Sequence, residues 1–491
     1  MNANSSSRGR ALPDHPDSPS AAPTRWDARL WGALIVLCGV VFLDALDVSM
    51  VGVALPSIRA DLGLSTSELQ WVVSGYVLAY GGLLLLGGRT ADLLGRKRTL
   101  LIALGGFVVA SALGGLADDG TVLVLARFVK GLSAAFTAPA ALSIITTTFP
   151  EGPARNRALS IFTTVGASGF SLGLVLGGAL TEIGWRWTFL LAAPVALVLL
   201  FLIPRLIPAD RGVAGGRRAY DVPGAVTVSA AMLLLVHTVV EAPLEGWGSL
   251  ATVGGFVGAA VLMAVFVAIE LRSSHPLVRL GIFRSRSLVR ANVLAMAMFG
   301  SYLGFQFIGT LYMQSLLGWS PIVTALAFLP AGLIVVFGST RVGGLVDRFG
   351  TPRLVAVGFG LFAIGYALFL RIDETPVYAA VILPTIVLIG SGFALVFPSL
   401  NIQATAGVAD NEQGLAGGLV NTSIQLGGAI GLAIVTAVVT STTDKAASPA
   451  AVLDGFKPGL AVAAGIAVAG FGLALSGLRW RRAREAVPAE G

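Results

Sequence analysis

The chain has 491 residues, of which 55% are hydrophobic and only 12% charged, about half the charged share of a soluble domain. So little polar surface excludes a water-soluble globule and leaves lipid as the solvent. The net charge of +7 then reads as a bias of the loops and not as a nucleic-acid surface, because no long basic stretch with interleaved aromatics occurs.

Residues 1–29 are rich in Ser, Pro, Asp and Arg and lack an apolar run. They are expected to form a disordered cytoplasmic leader, with the first helix inserting uncleaved. Apolar runs follow near 30–53, 68–88, 99–117, 121–149, 158–181, 186–207 and 222–243. Seven more lie near 249–271, 288–315, 321–341, 354–371, 376–400, 413–441 and 457–478. Each is close to the roughly 20 residues that cross a bilayer as a helix. They are numbered here as spans 1 to 14. The expected fold is an all-α integral membrane protein with fourteen transmembrane helices.

Of the 33 Lys and Arg residues, 26 fall in the leader, in alternate loops and in the basic tail 479–491, against five on the other side. The positive-inside bias places both termini in the cytoplasm. The single cysteine, Cys38, lies in span 1 and reads as a small buried hydrophobe.

An internal repeat organises the spans. Gly88-x3-Asp92-x2-Gly95-Arg96-Lys97 follows span 2, and Gly343-x3-Asp347-Arg348-x-Gly350 follows span 10. Pro139 in span 4 and Pro398 in span 12 keep nearly the same offset. The chain therefore divides into a six-helix half (30–207), a linker with an inserted two-helix hairpin (208–287) and a second six-helix half (288–478). Two like-oriented halves around a central site are a transporter architecture. The hairpin is expected at the edge, between the halves and facing lipid, because the halves are already complete without it.

Span 1 carries Asp44 and Asp47, three apart and so on one face. Span 4 carries Arg127 and Lys130 with the same spacing. Counted at about 1.5 Å per residue from the helix ends, both pairs reach similar depth. A carboxylate in hydrocarbon needs water or a cation beside it. The four groups read either as a proton-coupling centre or as a static staple between spans 1 and 4. The glycine loop reads as a latch on the cytoplasmic side, with Asp92 accepting at a helix N-terminus and Arg96 and Lys97 facing lipid phosphates or the carbonyl end of another helix. Its plainer reading is a positive-inside tether.

Gly169, Gly173, Gly177 and Gly178 in span 5 form a smooth stripe for close helix packing. Span 13 has a similar stretch beside Asn421 and Gln425. Gln306, Gln314 and Asn401 join these two as candidate polar groups of a substrate cavity. His237 and Glu241, one turn apart in span 7, could relay protons, but Glu241 near the helix end reads first as simply solvated. No phosphate-binding G-x4-G-K-[ST] loop and no clustered His occur, so neither a cofactor nor a metal is expected. The proton gradient is left as the driving force.

At these residues the chain resembles the fourteen-span drug:proton antiporters of the major facilitator superfamily. The loop signature G-x3-D-R-x-G-R-K is similar at Gly88, Asp92, Gly95, Arg96 and Lys97, with Leu93 in place of Arg. The span 1 signature L-D-x-T-x-V-N-V-A-L-P is similar from Asp47 to Pro56, with Ser49 for Thr and Gly52 for Asn. The span 4 signature R-x2-Q-G is similar at Arg127 and Gly131, with Lys130 for Gln. The span 5 signature G-x3-G-P-x2-G-G is similar at Gly169, Gly173, Gly177 and Gly178, with Leu174 for Pro. The resemblance implies a monomeric, proton-coupled exporter of lipophilic or cationic drugs in the cytoplasmic membrane, with Asp47 carrying the proton and Arg127 tuning it. It implies small-molecule substrates, protons and lipid as partners. A transporter of one metabolite or siderophore, and a non-transporting sensor or scaffold, are the alternatives.

Overall fold

A computed structural model describes residues 26–149, 153–208, 221–274, 276–339, 341–406, 408, 413–442 and 449–485. The leader up to residue 25 and the end of the tail lie outside these. Among the described residues the chain is helical, with fourteen helices long and apolar enough to cross a membrane. Spans 1 to 7 are Ala28–Leu62, Glu68–Ala91, Arg96–Gly115, Gly120–Thr148, Arg157–Ile183, Trp187–Leu206 and Val222–Ala242. Spans 8 to 14 are Leu250–Arg272, Arg286–Leu316, Pro321–Ser339, Thr351–Phe369, Tyr378–Thr405, Leu415–Thr442 and Ala450–Leu478.

The helices of spans 1 and 14 exceed their apolar runs the most. Span 1 continues past Pro56 to Leu62, where Gly63 at φ 66° closes it. Pro56 has no N–H for the Gly52 carbonyl, but the packing on both sides of it holds the helix together. The helix of span 14 runs from Pro449 to Glu485. It takes in Asp454 and Lys457, which pair at 2.8 Å across one turn, and its end continues into the basic tail.

The repeat is visible in the packing. Span 1 packs on 5 and 6, span 2 on 4, and span 3 on 4 and 6. In the second set, span 9 packs on 13 and 14, span 10 on 12, and span 11 on 12 and 14. The two sets meet through another matched pair, span 5 on span 10 and span 2 on span 13. Span 7 lies against spans 2 and 13, one from each set, and span 8 packs on span 7.

Glycine makes the close approaches, because lipid offers no hydrophobic drive between helices and van der Waals contact must hold them. Gly169, Gly173 and Gly177 lie on span 1. A Cβ added at Gly169 would stand 2.6 Å from the Phe42 carbonyl oxygen, and one at Gly177 would stand 2.6 Å from Met50 Cα. Span 13 repeats this on span 9, where added Cβ atoms at Gly427 and Gly431 would run into the backbones of Met296 and Gly300.

Gly431→Leu is therefore expected to cut the yield of monodisperse protein severely, since backbone opposes the new side chain and overpacking costs about 1–3 kcal/mol or more. Gly465→Ala, whose Cβ meets open space, should leave yield and thermal unfolding unchanged. Size-exclusion profiles and unfolding temperatures of the two variants check this.

Candidate functional site

Asp47 is fully buried in span 1, and both of its oxygens are taken by cations from span 4. Arg127 Nη1 donates to Oδ2 at 2.6 Å, and Lys130 Nζ donates to Oδ1. Arg127 also donates from Nε to the Val72 carbonyl of span 2 at 2.9 Å, and its guanidinium lies 4.5 Å from the Tyr76 ring centroid. The Lys130 ammonium sits between two rings, Phe107 of span 3 at 4.7 Å and Phe189 of span 6 at 4.8 Å. Each cation thus has one carboxylate oxygen and at least one aromatic face, which replaces part of its lost hydration.

Asp44 sits one turn away and is 6% exposed. Its Oδ2 accepts from the Thr137 hydroxyl at 2.9 Å. Thr137 follows Lys130 by seven residues and so shares its face of span 4. That spacing is legible in the sequence. The rings of Phe107 and Phe189 were also missed, and no sequence signal marks them, since they come from helices whose rotation the pattern leaves open.

The glycine loops keep one common device. Gly95 at φ 94° and Gly350 at φ 78° each open the helix that follows, spans 3 and 11. A non-glycine residue is strained at these angles. Arg96 is the first residue of span 3. A Cβ at Gly88 would stand 3.6 Å from Pro139 of span 4. Lys97 Nζ donates to the carbonyls of Pro204 at 3.0 Å and Ile207 at 2.6 Å, the last turn of span 6. The first loop is thereby tied to a helix end of its own half, where a cation complements the helix dipole. The expectation for Asp92 concerns a side chain outside the described residues. In the second copy Asp347 and Arg348 are exposed, and the Arg348 guanidinium lies over the Phe349 ring.

The five candidate cavity groups separate. Gln314 Nε2 donates to the Val53 carbonyl of span 1 at 2.8 Å. Gln306 is buried against Gly52, where an added Cβ would stand 3.3 Å from its Nε2. Gln425 lies against Gly81, whose added Cβ would stand 2.7 Å from the Gln425 Cβ. These three are at the boundary between the halves. Asn401 and Asn421 donate to carbonyls of their own helices, Phe397 and Gly417, and Asn421 is exposed.

An aromatic cluster that the sequence did not reveal crosses the same boundary. Tyr302 of span 9 stands 6.3 Å from Phe170 of span 5, 6.2 Å from Phe299 and 5.2 Å from Phe393 of span 12, and Phe397 stacks on Phe393. All five rings are half-buried.

Glu241 corrects the expectation of simple solvation. Its Oε1 accepts from the Trp71 indole at 2.7 Å, and the His237 ring is 5.7 Å from that indole. The bond fastens span 7 to span 2.

Residues 37–432 match the sequence profile described as Major Facilitator Superfamily. The chain belongs to the major facilitator superfamily. It is 40% identical over 461 residues to a puromycin resistance protein of Streptomyces alboniger, covering 91% of this chain and 90% of that one. It is 38% identical over 414 residues to a cephamycin export protein of Amycolatopsis lactamdurans, covering 84% and 85%. Among solved structures, a peptide transporter in complex with sulfate superposes with a TM-score of 0.67 at 17% identity, covering 91% of this chain and 94% of that one. That likeness shows the superfamily's fold.

Within this superfamily member, Asp47→Asn strands two buried cations. A loss of about 3–5 kcal/mol is expected, the cost of breaking a buried pair from one side. Adding Lys130→Met should recover part of it, and the thermal unfolding of the single and double variants measures the coupling.

Proposed function

We propose that this protein exports small, largely apolar antibiotic-like molecules across the cytoplasmic membrane in exchange for protons. Export is the activity named in one relative and resistance in the other, and the chain is matched to both over most of its length. The observation that carries the coupling is the buried cluster of Asp44, Asp47, Arg127 and Lys130. Charge at membrane depth is costly to keep and is associated with ion pathways. This is a transporter and not an enzyme, and a single copy holds both halves of its site.

The basic end of the bundle is the cytoplasmic one on this reading. The contacts of Gln314 with Val53 and of Glu182 Oε1 with the Ile322 N–H then close the outer end, together with Gly178 against Pro321, Ile322 and Ala325. With that end closed, substrate loads from the cytoplasmic side on this reading, as an exporter needs. The half-buried cluster around Tyr302, at the boundary between the halves, offers such a substrate flat apolar faces. Aromatic faces suit planar, weakly charged compounds.

In everted membrane vesicles the protein is expected to accumulate puromycin and ethidium when respiration acidifies the interior, and to stop when an uncoupler is added. Accumulation that ignores the uncoupler would rule out proton drive. Transport of one metabolite with neither of these compounds accepted would favour the single-substrate alternative.

A further inference from the structure

We propose that the exchanged proton resides on Asp44, while Asp47 stays ionised as the fixed counter-ion of Arg127 and Lys130. The inference rests on the proton-coupled reading above and divides the work between two carboxylates one turn apart.

Asp47 is poorly placed to change charge. Both of its oxygens receive charge-assisted bonds, and none of its surface reaches solvent. Protonating it would leave a guanidinium and an ammonium in the bundle interior without the carboxylate that contacts both, the costly half of a broken buried pair. Asp44 differs on both counts. Its observed donor is the neutral Thr137 hydroxyl, and it keeps 6% of its surface. Of the two, it is the residue that keeps any solvent-exposed surface.

The surroundings of Asp44 set the balance. Span 4 presents Thr137, Lys130 and Arg127, and the Tyr76 and Tyr80 hydroxyls of span 2 lie within electrostatic range. Asp47 is on its own helix. Spans 5, 6, 9 and 10, which also pack on span 1 or flank it, carry no charged residue over 159–181, 187–204, 291–316 and 321–339. Arg127, Lys130 and Asp47 together leave one unit of positive charge. With Asp44 ionised the cluster is neutral, and with Asp44 protonated it is a monocation. Burial opposes the first form and the excess cation opposes the second, so water access decides between them.

The transfer is a simple acid–base step. On loading, a hydronium ion gives its proton to an Asp44 oxygen, one O–H bond forms, and a water molecule is left. On release the O–H bond breaks, its electron pair stays on the carboxylate, and the proton passes to water. Thr137 acts as a positioning residue, since its O–H donates to the carboxylate form.

The test uses the full chain in phosphatidylethanolamine–phosphatidylglycerol liposomes and needs no substrate. Infrared difference spectra across a pH step should show the C=O band of a carboxyl in an apolar setting. The band should be absent in Asp44→Asn and present, with a shifted midpoint, in Asp47→Asn combined with Lys130→Met. Thr137→Val should keep the band and move its midpoint, which a purely structural bond between spans 1 and 4 would not do. With puromycin as the probe, Asp44→Asn should lose gradient-driven accumulation by about tenfold or more while keeping downhill exchange, the mark of a lost coupling step and not of lost binding. A band that survives Asp44→Asn, or no titrating band in the wild type, overturns the proposal. If puromycin is not moved at all, the exporter reading fails on that result, and the infrared bands still decide for or against Asp44.

Discussion

Two cations at membrane depth require a counter-charge, and that requirement shapes the first half of the molecule. Arg127 and Lys130 lie on one face of span 4, and the carboxylate that answers both is on span 1. Meeting it draws span 1 against span 4. The remaining hydrogen-bonding and solvation needs of the two cations recruit a carbonyl and a ring from span 2 and single rings from spans 3 and 6. Five of the six helices thereby contribute to one polar core. Span 5 joins it through glycine packing on span 1.

The second half has the same helix pairs and different chemistry. The charged residues of spans 9 to 13, Arg286, Arg290 and Arg353, all lie within the first two turns of their helices. The equivalent volume is filled by Phe305, Tyr312, Phe359, Phe362, Tyr366 and Phe369, all nearly without solvent contact. Tyr312 donates to the Asp373 carbonyl and Tyr366 to the Ser301 hydroxyl, so these two phenol hydroxyls are satisfied locally. One half is held by compensated charge and the other by aromatic packing. The repeat preserves helix pairing and glycine placement, and leaves the chemistry of each core free to diverge.

Much of this is legible in the sequence, because hydrocarbon allows few alternatives. The spans follow from apolar length, and the shared depth of Asp47, Arg127 and Lys130 follows from counting residues along two helices. Helix ends were less legible: Pro56 and the stretch of Asp454 and Lys457 look like terminators, yet the backbone passes through both. Contacts set by helix rotation were not legible. Nothing in the local pattern says that Gly52, where the related signature has Asn, leaves room for Gln306 of the other half, or that Trp71 reaches Glu241. The second glycine loop shows the opposite failure. Its pattern repeats that of the first, but Val342–Phe349 is a separate short helix with Asp347 and Arg348 exposed, while the first loop extends span 2 without a break as far as Leu94.

Adjacent glycines in span 5 serve interfaces of different kinds. Gly177 and Gly178 differ by about 100° around the helix axis. The first faces span 1 of its own half, with Gly173 and Gly169 below it, and the second faces the start of span 10 in the other half. An alternating-access cycle must keep the first contact and release the second. Span 1 has the same double attachment within three turns. Asp44 and Asp47 engage span 4, Leu46, Ser49 and Met50 receive the span 5 glycines, and Gly52 and Val53 meet Gln306 and Gln314 across the boundary. On the proposal that Asp44 carries the proton, its change of charge acts on the same helix that carries the Val53 carbonyl to Gln314. On the proposed coupling, the route from proton to gate needs no chain of intermediaries: it is one helix, packed on its own half through the span 5 glycines and hydrogen-bonded to the other half through Gln314.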